Sequence, residues 1–224
     1  MSVVIAIDGP AGSGKGTLAK ELAKRLGFVN IDTGATYRCV ALKVLNNNIS
    51  IDDEEKIIDI SKNIDIDLRS DGTVFLDGKD VTLDIRSKEV TEVVSPISSI
   101  IPLRENMVNI QRNIARGHDV VMEGRDITTV VFPDAQYKFY LDASVEVRAE
   151  RRYKENQEKG IDISYEEILN NIKERDYNDM NKSVGALKRT DEQIYIDSTN
   201  LTVDEEVDIV LKYVKGDFDE ENDK

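Results

Sequence analysis

Ser2 to Asp8 reads SVVIAID, a short and nearly all apolar run, and four similar runs recur at FVNID (28–32), DVVMEG (119–124), QYKFYLD (136–142) and QIYIDS (193–198). Runs this short and this continuously apolar suit strands covered on both faces, as in a parallel sheet. Between them, segments at 15–26, 35–46, 103–116, 144–159, 164–180 and 203–215 carry the apolar spacing of helices. Strands alternating with helices predict a doubly wound α/β domain, a five-stranded parallel sheet flanked by helices, with ligands beyond the carboxyl ends of the strands.

The stretch from about 57 to 96 breaks this rhythm. IDIDL, TVFLDG and KDVTL read as short strands, Asp77-Gly78 as a hairpin turn, and a helical piece near 84–95 follows. An antiparallel insertion on the main domain is expected here. Residues 1–216 then form a single domain, and the acidic end at 217–224 is expected to be a solvated, disordered tail.

Composition narrows the possible roles. A chain of 224 residues can bury a core that folds without staples, and a single cysteine, Cys39, excludes an internal disulfide framework. The N-terminus shows neither a basic leader nor an apolar signal core, and no stretch approaches the roughly 20 apolar residues that span a bilayer. A soluble, cytoplasmic monomer is expected. A net charge of −14 argues against nucleic-acid and acidic-membrane partners, which need a basic surface. Any anion bound must be met by a local cluster of arginines.

The first such anion site is contiguous. GPAGSGKGT places Gly9, Pro10, Ala11, Gly12, Ser13, Gly14, Lys15, Gly16 and Thr17 between the first strand and the first helix. Backbone N–H groups of such a turn converge on phosphate, the helix N-terminus adds partial positive charge, and glycine admits the close approach. Gly9, Gly14 and Lys15 fit G-x-x-x-x-G-K, a P-loop for a nucleoside triphosphate, with Lys15 against the β- and γ-phosphates. The motif's usual hydroxyl beside the lysine is replaced by Gly16, and Thr17 one position on is the candidate side chain toward Mg²⁺. A GTPase switch is disfavoured, because the lone NK, in NKSVG at 181–185, lacks the base-reading aspartate.

Further arginines stand beside small polar residues in DTGATYR (32–38), PLR (102–104), EGRD (123–126) and ERDYNDMNK (174–182). With GKGT in the loop, EGRDITTVVFPDA at 123–135 and IKERDYND at 172–179, the chain resembles the bacterial cytidylate kinases over nearly its whole length. The resemblance implies a P-loop kinase fold, with the insertion as a monophosphate-binding region and residues 147–163 as a short helical lid. It implies transfer of the γ-phosphoryl of ATP, with Mg²⁺, to CMP or dCMP. Residue by residue, it implies that Arg38 and Arg125 grip the acceptor phosphate. Ser95, Arg104 and Asp126 would face the cytosine, Arg175 and Asp179 the phosphates and ribose. Lys182 stands where the family often has arginine, and lacks the planar fork of a guanidinium. Thr33 keeps a hydroxyl where serine is common.

Physical chemistry supports these roles. The attacking group is a phosphate oxygen, already anionic near neutral pH, so one histidine in the whole chain is no objection. Catalysis is mostly positioning and charge neutralisation, for which arginine is suited. Asp126 can accept from the cytosine amino group and repel a uracil oxygen. Alternatively, Arg125 and Asp126 form a structural ion pair. In 147–161, Arg148, Arg151 and Arg152 fall at i, i+3 and i+4, one helical face that can neutralise the transferring group on closure. The other reading is a solvated helix whose arginines pair with Glu150 and Glu155. Tyr37 either packs beneath the acceptor or fills the core; Cys39 suits a buried position and His118 a surface turn. Competing functions are a UMP or AMP kinase, a P-loop switch module, or a small-metabolite kinase.

Overall fold

Strand β1 (Val4–Asp8) forms the middle of the main sheet because it is apolar toward both faces; Ile5 through Asp8 are fully buried. The fold is a computed structural model that describes residues 2–69, 71–158 and 160–216, so the expected acidic tail lies outside the described residues. The sheet partners of β1 are β2 (Val29–Asp32), β6 (Val120–Gly124), β7 (Tyr137–Asp142) and β8 (Ile194–Asp197), all parallel, in the order β2-β6-β1-β7-β8. From β1 the chain leads toward β2, whereas from the adjacent β6 it leads to β7 on the other side. The connections therefore part at the β1–β6 boundary and open a crevice at the carboxyl ends. Register sets Asp8 beside Gly124 and Asp32 beside Glu123 at that rim.

Two helices begin at the same rim. Helix α1 (Lys15–Leu26) starts from Gly14, whose φ of 99° a side chain would resist. Helix α2 (Thr33–Asn46) starts from Asp32, which accepts a hydrogen bond from the Ala35 N–H at 3.1 Å. Both helices thus aim unpaired N–H groups and positive dipole ends at the crevice.

Strands β3 (Ile66–Leu68), β4 (Val74–Leu76) and β5 (Lys79–Asp80) form a separate antiparallel sheet. It shares a core with α2, α3 (Glu54–Lys62), α4 (Lys88–Ile97) and α5 (Ile101–Ala115), around Val40, Ile57, Leu76, Ile85 and Leu103. The start expected at about 57 falls inside α3. That helix begins earlier because Asp53 caps it through the Lys56 N–H and Glu54 and Glu55 favour its positive end. KDVTL contributes only Lys79 and Asp80 to the ladder, and Val81 turns into the core.

Helices α1 and α8 (Val203–Lys215) cover one face of the parallel sheet through Leu18, Leu22, Val207 and Val210. Helices α6 (Val145–Glu158) and α7 (Tyr165–Met180) make a hairpin with its own small core of Ala149, Ile168 and Ile172. Periodicity gave no sign of the π-helical turn at Ile127–Val131. Asp8 anchors it, accepting from the N–H groups of Ile127 (2.8 Å) and Thr128 (2.9 Å) and from the Thr128 hydroxyl (2.6 Å).

Candidate active site

A cleft of about 730 Å³ opens at the carboxyl ends of β1, β2 and β6. Ala11, Gly12, Gly14, Lys15, Gly16 and Thr17 form its floor, whereas Gly9, Pro10 and Ser13 of the same loop do not line it. Gly9 serves the sheet instead: a β-carbon there would overlap the Leu141 carbonyl oxygen. Ser13 is fully buried, and its carbonyl accepts from the Ser198 hydroxyl at 3.1 Å and Arg151 at 3.3 Å. These contacts hold the loop's shape from behind.

Lys15 is folded onto its own loop, with Nζ donating to the Pro10 carbonyl at 2.7 Å and to Ser13 Oγ at 3.4 Å. Burial and the nearby Arg125 push its pKa down to about 7, against the pull of Glu123 and Asp8. The ammonium is thus poorly compensated. A bound polyphosphate would supply the missing charge.

On the β2 side, Arg38 donates to Asp32 Oδ2 at 2.6 Å, and the Thr33 hydroxyl donates to the Glu123 carbonyl at 2.8 Å. Tyr37 does both things open to it: its ring packs in the α2–α5 core and also lines the cleft, with the Arg104 guanidinium 5.4 Å from its centroid. Its burial pushes the phenol pKa up. Ser95, on α4, reaches the same end of the cleft.

The ion pair considered between Arg125 and Asp126 is replaced by two others. Asp126 is bonded to Arg104, both nearly buried, and Arg104 also donates to the Ser98 carbonyl at 2.9 Å. Burial raises the Asp126 pKa, with Arg104 opposing. Arg125 turns the other way and donates through Nε to Asp179 at 2.8 Å. Asp179 also binds Lys182 at 3.1 Å; burial works against its charge, but Arg125 and Lys182 prevail and hold its pKa low. Lys182 reaches Ser98 Oγ at 3.1 Å as well.

The three arginines of α6 all line the cleft but have different partners. Arg148 is 3% exposed, binds both oxygens of Asp176 on α7 (3.1 and 2.6 Å), and donates to the Ala11 and Ala143 carbonyls. A carboxylate on the packed neighbour draws it inward, so it is a fixed strut under the loop. Arg151 donates to the Ser198 carbonyl at 2.8 Å. Arg152 is exposed, lines the cleft, and makes no hydrogen bond or ion pair among the described residues. Of the acids proposed to pair with these arginines, Glu150 binds Lys154 at 2.9 Å and Glu155 faces the cleft. Arg175 lines the cleft too, its pKa lowered to about 10 by burial and by Arg125.

Sequence reasoning missed Asp8, Glu123 and Glu206. Glu123, the penultimate residue of β6, faces Gly16, where a β-carbon would lie 3.5 Å from Oε1. Burial and neighbouring Asp32 raise its pKa, with Lys15 and Arg125 opposing. Thr17, Asp32 and Glu123 are hard oxygen donors of the type Mg²⁺ takes, and no cluster of three or more His, Cys, Asp or Glu side chains that could cage a metal is found among the described residues. Cys39 is fully buried, its thiol pKa pushed up to about 12 by burial, and His118 is exposed. No helix among the described residues is long and apolar enough to cross a membrane.

The family model described as cytidylate kinase matches residues 5–216. A cytidylate kinase from Caldanaerobacter subterraneus subsp. tengcongensis is 51% identical over 96% of both chains. One from Fusobacterium nucleatum is 46% identical over 96% of this chain and 98% of its own. Among solved structures, TT1252 from Thermus thermophilus is similar in fold, with a TM-score of 0.50 and 18% identity over 97% of this chain and 98% of that one. An uncharacterised protein from Eubacterium ventriosum has a TM-score of 0.53 and 15% identity over 96% of this chain and 99% of that one.

Proposed function

The chain belongs to the cytidylate kinase family, and we infer from that membership and the cleft that it is an ATP-dependent kinase whose acceptors are CMP and dCMP. The observation that carries the reading is one cleft with a phosphate loop at its floor and the buried Arg104–Asp126 pair at one end. We assign the loop, with Lys15, to the β- and γ-phosphates of ATP. Arg38 and Arg125 take the acceptor phosphate, exchanging Asp32 and Asp179 for it, with Arg175 beside them. Ser95, Arg104, Asp126 and Tyr37 form the base site, while Asp179, Lys182 and Thr33 border the sugar and phosphate.

In the transfer, an anionic oxygen of the CMP phosphate forms a bond to the γ-phosphorus while the bond to the β–γ bridging oxygen breaks and ADP leaves with that electron pair. No general base is needed, and the arginines supply charge neutralisation and in-line positioning. We propose that residues 57–96 close over the acceptor, and that 147–163 act as a lid, with Arg152 as its free cation and Arg151 beside the loop. Exclusion of water would protect ATP from hydrolysis. Mg²⁺ would be held near Thr17, Glu123 and Asp32, and when bound it supplies charge neutralisation to the polyphosphate. We further propose that the enzyme acts as a cytoplasmic monomer without nucleic acid.

Because Asp126 is fixed by Arg104, its remaining lone pairs point one acceptor set at the base. Cytosine offers an amino group there and uracil an oxygen. Steady-state rates with CMP, dCMP, UMP and AMP test the assignment, and CMP and dCMP should lead. Asp126→Asn should cut the ratio of kcat/KM for CMP over UMP by about tenfold, the worth of one buried polar mismatch. An unchanged ratio would move base selection elsewhere.

A further inference from the structure

One carboxylate in the cleft has an oxygen that no atom of the described residues answers. Glu206 lies on the first turn of α8, is only 2% exposed, and its Oε2 has no hydrogen-bond partner among the described residues. Both of its oxygens lie 3.9 Å from where a β-carbon on Gly14 would stand, directly beside the phosphate loop. Arg151 is the nearby cation, but it directs its hydrogen bonds to Ser13 and Ser198. Burial accordingly pushes the Glu206 pKa up to about 7, with Arg151 pulling it down. The next residue, Val207, and then Val210 pack in the core beneath, so an apolar side chain at 206 would be cheaper for the fold.

The position of Glu206 indicates what it could meet. Together with Leu201, Thr202 and Val203 it lines the β8 end of the cleft, whereas Tyr37, Arg104 and Asp126 lie toward β2. A triphosphate seated on the loop, with its γ-phosphate turned toward the acceptor, must extend its nucleoside to the β8 end. We infer that Glu206 is a specificity-determining residue of the donor site, hydrogen-bonded to an N–H or O–H group on the nucleoside half of ATP. The group is either a ribose hydroxyl or the adenine amino group. This inference rests on the assignment of the loop to the ATP phosphates.

The test is a steady-state titration of ATP at saturating CMP with the full chain. Glu206→Leu, which removes the polar group, should raise the KM for ATP about tenfold while kcat and the KM for CMP stay within twofold. Glu206→Gln, which keeps an acceptor oxygen, should stay within about threefold of the parent throughout. With the unmodified protein, the analogue lacking the partner group should show the same rise: 2′-deoxyATP or 3′-deoxyATP for a hydroxyl, ITP for the amine. That analogue should lose nothing further in Glu206→Leu. An unmoved KM for ATP in Glu206→Leu overturns the inference, as does a parallel fall in kcat and rise in the KM for CMP. Normal KM values for all three analogues on the unmodified protein overturn it too, independently of how any variant folds. Absence of CMP-dependent ADP release from the unmodified protein would instead defeat the loop assignment itself.

Discussion

Lys15 shows how the surroundings of a single residue favour one class of ligand. Its ammonium is buried, tethered to the Pro10 carbonyl, and held to a pKa of about 7, below the free-lysine value of 10.5, first by desolvation and then by Arg125. A bound polyphosphate favours the charged form, so ATP binding above pH 7 must draw a proton from solvent. At pH 8 the uptake should approach about one proton per ATP, and ATP affinity should fall as pH rises from 7 toward 9. Calorimetry in buffers of different ionisation enthalpy measures the uptake directly. Lys15→Arg, whose guanidinium does not titrate, should take up none; equal uptake in that variant would assign the proton elsewhere. The lysine itself was legible in the sequence because GPAGSGKGT is contiguous and its role depends on local geometry. Asp8, Glu123 and Glu206 were not, because an acid at the end of a strand or in a helix's first turn acquires meaning only when register and packing bring it to the loop.

At the scale of elements, α6 and α7 are joined by a small apolar core and by Arg148 and Asp176, which form a two-pronged buried pair. The same guanidinium reaches the Ala11 carbonyl, so the joint also carries the phosphate loop. Arg148→Met leaves Asp176 buried and unpaired, and should cost about 3–5 kcal/mol in urea unfolding. Arg148→Met combined with Asp176→Leu should recover most of that loss, because a matched apolar pair removes the stranded charge. Turnover should remain low in both, since the support to Ala11 is gone from each. A double variant no more stable than the single one would show that the pair itself, and not the stranded acid, matters. Elements of this kind divide clearly by legibility. The five parallel strands were readable because each is a bounded apolar run. The start of helix α3 was not legible because it is set by the Asp53 cap, ahead of the apolar residues Ile57, Ile58 and Ile60. The π-helical turn at Ile127–Val131 has no periodic signature, since it follows from the distant Asp8.

Across the whole molecule, a net charge of −14 coexists with a cleft crowded by cations, and the two facts are compatible because four of the cleft arginines each hold a carboxylate. Arg38 has Asp32, Arg104 has Asp126, Arg125 has Asp179, and Arg148 has Asp176. The sequence indicated a local arginine cluster but not these pairings, which depend on side chains from separate elements meeting across the cleft. Arg175 makes no ion pair among the described residues, and its pKa falls to about 10 through burial and then through Arg125, with Asp179 opposing and Arg152 and Arg38 adding to the repulsion. A base whose folded pKa is depressed costs stability wherever it stays charged in both states. The cost is therefore present in full at neutral pH and is relieved only as pH rises above about 10. Replacing it should consequently stabilise the ligand-free protein. Arg175→Met is expected to raise the free energy of unfolding by about 1–2 kcal/mol at pH 7 while weakening CMP binding, a direct exchange of stability for function. The companion measurement is thermal unfolding with and without CMP. The acceptor should raise the midpoint of the parent protein more than that of Arg175→Met, because part of its stabilisation comes from neutralising this guanidinium. A variant that unfolds earlier than the parent without ligand would mean that Arg175 is held by favourable packing, and that the cleft's charge is balanced within the protein before any phosphate arrives.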